Sequence, residues 1–129
     1  MQMNVEKVLR IVGYAAVLLI GGLSLMPGGL RPETGAPGKF EHLIAYFVAG
    51  LLLGSSTSVT RQPWLALWLI PYAGALEVIQ LFVPDRHSRF SDFVVSALGA
   101  MLGFAVAFGV SPLLSQLFPR SLNASRDRA

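Results

Sequence analysis

A chain of 129 residues, 53% of them hydrophobic and only 13% charged, is poorer in charge than an ordinary soluble domain, which carries about 25%. Its net charge of +3 comes from scattered basic residues with no aromatic–basic surface pattern, which argues against a nucleic-acid partner. It has no cysteine, so disulfides, thiolate catalysis and Cys-ligated metals are excluded.

Four apolar stretches follow in chain order within one domain, 1–129. The first covers about 8–26 and stops at Pro27-Gly28-Gly29. It has a basic start in Lys7 and Arg10, but its exit, Ser24-Leu25-Met26-Pro27, lacks the small-x-small cleavage signature, so an uncleaved span is expected rather than a signal peptide. The second stretch covers about 40–59, the third 63–83 and the fourth 93–117. Each is close to the roughly 20 residues a helix needs to cross about 30 Å of hydrocarbon. Period-2 alternation is missing, and open sheet edges are not tolerated in lipid, so strands are not expected. Proline and glycine punctuate the boundaries. The fold class expected is therefore an all-α integral membrane protein, an antiparallel bundle of four transmembrane helices.

Orientation follows from the basic flanks. Lys7, Arg10, Arg61, Arg120, Arg126 and Arg128 lie on one side, and Arg31, Lys39, Arg86 and Arg89 on the other. The richer side faces the cytoplasm, which places both termini there and both longer loops outside. Asn123-Ala124-Ser125 matches a glycosylation sequon but would then be cytoplasmic. Trp64 and Trp68 read as interfacial anchors.

The informative residues are polar. Lys39, Glu41 and His42 open the second stretch, Glu77 and Gln80 close the third, and Arg86, His87, Arg89 and Asp92 lie between the third and fourth. Opposed neighbouring helices would bring these groups together at one membrane face. His42 and Tyr46 share a helical face, as do Glu77 and Gln80. Asp92, Ser96, Gly99 and Gly103 form a stripe, and Gly50 and Gly54 lie below Tyr46; small residues at such spacing allow close helix approach. Glu77 would lie about 9 Å below the end of its helix, too deep to reach bulk water, with the Arg86 fork as its expected partner. Tyr46 and Gln80 are expected to hydrogen-bond between helices.

The cluster admits more than one chemistry. Glu77 with Arg86 reads either as a structural ion pair or as a carboxylate orienting an anion-binding arginine. His42 could act as a general base if a carboxylate such as Asp92 oriented it and Ser88, Ser91, Tyr46 or water served as nucleophile. Metal binding by His42, His87, Glu77 and Asp92 has no HExxH-type spacing behind it, and neither a metal nor another cofactor is expected.

Two ordered blocks also resemble the VanZ-like family, small bacterial membrane proteins associated with resistance to the glycopeptide teicoplanin. The first is Lys39-Phe40-Glu41-His42-Leu43-Ile44-Ala45-Tyr46; the second is Glu77-x-x-Gln80, then Pro84-x-Arg86, Asp92, Gly99 and Gly103. Gly38 stands where the family usually has aspartate, Ser96 where it has asparagine, and Arg89 where a serine is frequent. The resemblance implies a bacterial inner membrane and a cell-envelope context. From it comes the expectation of an outward polar pocket that handles an anionic membrane lipid, a lipid-linked envelope precursor or a glycopeptide-related target. Lys39, Tyr46, Gln80 and Arg86 would bind; His42, Glu77 and Asp92 would supply any catalysis. The alternatives are a membrane-embedded hydrolase or transferase built on a His–carboxylate pair, and a non-catalytic subunit docking to an envelope enzyme through its glycine-lined faces.

Overall fold

The computed structural model describes residues 5–56 and 62–117. Arg61, Arg120, Arg126, Arg128 and the Asn123 sequon lie outside these residues. The described chain is helical throughout its regular structure, with no strand: α1 (Val5–Leu25), a short 3-10 turn (Gly28–Leu30), α2 (Gly38–Ser55), α3 (Gln62–Gln80) and α4 (Phe90–Leu117).

The helices coincide with the four apolar stretches, with shifted ends. Among the described residues two stretches are long and apolar enough to cross a membrane, Val5–Leu25 and Phe90–Val110. Among the described residues α3 contributes a shorter apolar stretch, Leu67–Gln80, and α2 has Lys39 and Glu41 in its first turn. Leu81, Phe82 and Val83 continue the apolar run, but their N–H groups bond three residues back, so the chain leaves α3 in tight turns. Pro71 and Pro112 sit inside helices rather than at boundaries.

All four helices contribute to one core, including Val17, Tyr46, Leu53, Leu69, Ala73 and Phe104. Many other large apolar side chains face outward, among them Leu18, Val48, Leu67, Ile79 and Met101. Polar side chains take the inside: Glu77, Gln80 and Ser96 are 8%, 4% and 1% exposed.

Small residues decide the main helix contact. A Cβ on Gly50 would meet the Ala100 carbonyl oxygen at 2.6 Å, and one on Gly99 would meet the Leu43 oxygen at 2.5 Å. Gly103 lies against the Phe47 carbonyl, and Gly54 against Ala107 and Phe104. These pairings advance together along both chains, so α2 and α4 run side by side in the same sense. The glycines of α2 and α4 are thus packed against the facing helix within the molecule.

α1 is fastened differently. Near its start Arg10 donates to the Ser56 carbonyl at 3.1 Å, and Gly13 packs on Leu53. In its second half the Tyr72 hydroxyl donates to the Val17 carbonyl at 2.8 Å, with Gly21 leaving room for the ring. Tyr72 also stacks on Trp68, with ring centroids 5.3 Å apart. Trp64 is 71% exposed. The Gly28 N–H donates to the Pro84 carbonyl at 3.2 Å, joining the loop after α1 to the loop after α3.

Candidate ligand-binding site

The end of α1 explains where Arg86 goes. Pro27 stops the helix, which leaves carbonyls of the last turn without intrahelical partners. Side chains from α3 and its following loop supply donors. Gln80 Nε2 donates to the Ser24 carbonyl at 3.1 Å, Arg86 Nε to the Met26 carbonyl at 3.0 Å, and Arg86 Nη2 to the Leu23 carbonyl. Leaving a buried carbonyl unpaired costs about 1–3 kcal/mol, so these bonds fix α1 against the third helix.

The expected Glu77–Arg86 ion pair is not formed. The Glu77 carboxylate accepts from the Ser88 hydroxyl at 2.6 Å, and Arg86 is committed to α1. The two residues remain close enough to feel each other. Burial, followed by the like charge of Arg31, lowers the Arg86 pKa from its ordinary value, while Glu77 pulls it back up. The guanidinium stays charged at neutral pH.

The expected His42–carboxylate contact is also missing. The His42 Nδ1 atom faces Ser96 Oγ across the α2–α4 contact, 3.4 Å away. Asp92 lies in the first turn of α4, one helical turn before Ser96. Tyr46 is 2% exposed and belongs to the core shared by the four helices.

Above these groups the loop between α1 and α2 folds over the helix ends. Arg31 forms an ion pair with Glu41 in the first turn of α2, and the Thr34 hydroxyl donates to the same carboxylate. Neither contact was anticipated, since Arg31 carries only a topology signal in the sequence. Ser96 was anticipated only as part of the small-residue stripe, not as the neighbour of His42.

The result is a polar cavity of about 790 Å³, lined by five of the seven expected residues: Lys39, His42, Gln80, Arg86 and Asp92. That volume falls within the roughly 300–1,000 Å³ of small-molecule sites. A second cavity of about 190 Å³ lies between α1 and α2 and takes Tyr46 into its wall, together with Ile20, Leu23 and Ala45. His42 and Arg86 line both cavities. Glu77 lines neither and sits behind the wall, held by Ser88. No group of three or more His, Asp or Glu side chains among the described residues could hold a metal ion. No family model matches the chain, and neither the curated proteins nor the solved structures give a match.

Proposed function

We propose that this chain is a VanZ-like protein of a bacterial inner membrane that binds or handles an envelope amphiphile through an anionic phosphate group. In this reading α1 to α4 all cross the bilayer as an antiparallel bundle. Both termini are cytoplasmic, and the polar cavity opens to the outside. The motif residues carry the family resemblance. The membrane reading is supported by two helices of spanning length and by apolar side chains facing outward around a polar interior.

The observation that carries the function is the cavity wall. Lys39 and Arg86 are its candidate phosphate ligands. Arg86 spends Nε and one Nη2 N–H on α1 carbonyls, and the guanidinium has five N–H donors in all. Capping α1 therefore holds a charged fork in place with donors to spare. A fixed fork suits a phosphate better than a freely moving chain does, because less side-chain entropy is lost on binding. His42, Gln80 and Asp92 would read neighbouring hydroxyls.

The test is lipid retention. Protein purified in a mild detergent is incubated with a phosphate-bearing lipid or with an uncharged diacylglycerol, and the bound lipid is weighed by native mass spectrometry. Retention of the phosphate lipid, lost in Lys39→Ala, is the expected result. Equal retention of both lipids sinks the reading.

A further inference from the structure

We infer that the two cavities form one site for a single-chain segment of a zwitterionic amphiphile, a phosphate ester whose head also carries an ammonium group. This rests on the phosphate reading above and narrows it.

The first reason is continuity. The polar and apolar cavities share Arg31, Pro32, Thr34, Glu41, His42 and Arg86 in their walls. The smaller one continues between α1 and α2 toward Ile20, Ala45 and Tyr46. A head in the large cavity therefore has an adjoining apolar channel for the start of its chain. Burying methylenes there is favourable by about 0.8 kcal/mol each.

The second reason is charge. The Arg31–Glu41 pair neutralises itself. The remaining charged side chains in the large cavity's wall are Lys39, Arg86 and Arg89 against Glu33, Asp85 and Asp92. Cations and carboxylates balance. A purely anionic head would gain from the cations but would also face three carboxylates, and like-charge juxtaposition penalises a ligand. A head with one negative and one positive group satisfies both sets.

The experiment uses the full chain in detergent and four probes: lysophosphatidylethanolamine, lysophosphatidylglycerol, a monoacylglycerol and free O-phosphoethanolamine. Affinities are read by native mass spectrometry with competition. The zwitterionic amphiphile is expected to bind about tenfold more tightly than each of the other three. Ala45→Leu, which fills the apolar cavity, is expected to weaken the zwitterionic amphiphile by about tenfold and to leave phosphoethanolamine unchanged. Leu23→Trp serves the same purpose if Ala45→Leu fails to fold. Asp92→Asn is expected to reverse the preference between the zwitterionic and the anionic lipid.

Tighter binding of the anionic lipid overturns this inference and leaves the phosphate reading standing. So does free phosphoethanolamine binding as tightly as its lipid form. If none of the phosphate probes binds, both the inference and the reading beneath it fail.

Discussion

Ser88 donates a 2.6 Å hydrogen bond to the Glu77 carboxylate across the turn that ends α3. This bond takes the place that chain proximity suggests for Arg86. It leaves the arginine free to close the end of α1, so a buried acid and a half-buried base are each satisfied by a different neighbour.

Glu77 and Ser88 should therefore be coupled more strongly than Glu77 and Arg86. Ser88→Ala is expected to destabilise the protein by about 1.5–3 kcal/mol, the range for hydrogen bonds to charged groups. A double-mutant cycle of Glu77→Gln with Ser88→Ala, read by unfolding in detergent, should give the larger interaction energy. Stronger coupling between Glu77→Gln and Arg86→Met would restore the ion pair.

Arg86→Lys should lower stability even without ligand. An ammonium cannot reproduce the spread of Nε and Nη2 over the Met26 and Leu23 carbonyls at the end of α1, and losing a part-buried bond there should cost about 1 kcal/mol. The check is thermal unfolding of the apo protein. An unchanged melting temperature would leave Arg86 with a binding role alone.

The α2–α4 contact predicts a graded glycine series. Gly50→Ala and Gly99→Ala force a methyl group onto backbone oxygens of the facing helix and should cost about 1–3 kcal/mol. Gly22→Ala on α1 meets nothing within 4 Å and should be neutral or stabilising by up to about 1 kcal/mol. Equal effects at all three positions would mean that α2 and α4 stand too far apart for their backbones to touch.

Topology is open to a direct measurement because the chain has no cysteine of its own. Ala36→Cys lies in the exposed loop before α2. It is expected to react with an impermeant thiol reagent added to intact cells. Labelling only after lysis would turn the cavity toward the cytoplasm.

How much of this was legible in the sequence differs from residue to residue. The four helices were legible because apolar runs and their interruptions are written into the chain, and the meeting of Lys39, His42, Gln80, Arg86 and Asp92 follows once consecutive helices turn back. The end of α3 was not legible. Leu81, Phe82 and Val83 are as apolar as the helix before them, and only the backbone bonding shows that the helix has stopped. The partners of Arg86 were hidden for another reason. They are main-chain carbonyls at and just past the end of α1, and a carbonyl leaves no mark on the residue types around it. His42 facing Ser96 depended on the rotation of α2 against α4, which the glycine contacts set to within a fraction of a helical turn.

The stack of Trp68 on Tyr72 gives the molecule an optical reporter of its own. The phenol that lies against the indole is the same group that holds the Val17 carbonyl, so any outward swing of α1 disturbs the ring pair. The chain has two tryptophans, and Trp64 stands in the open. Trp64→Phe would leave one tryptophan, and its fluorescence could follow the separation of α1 from α3 in real time, without a label.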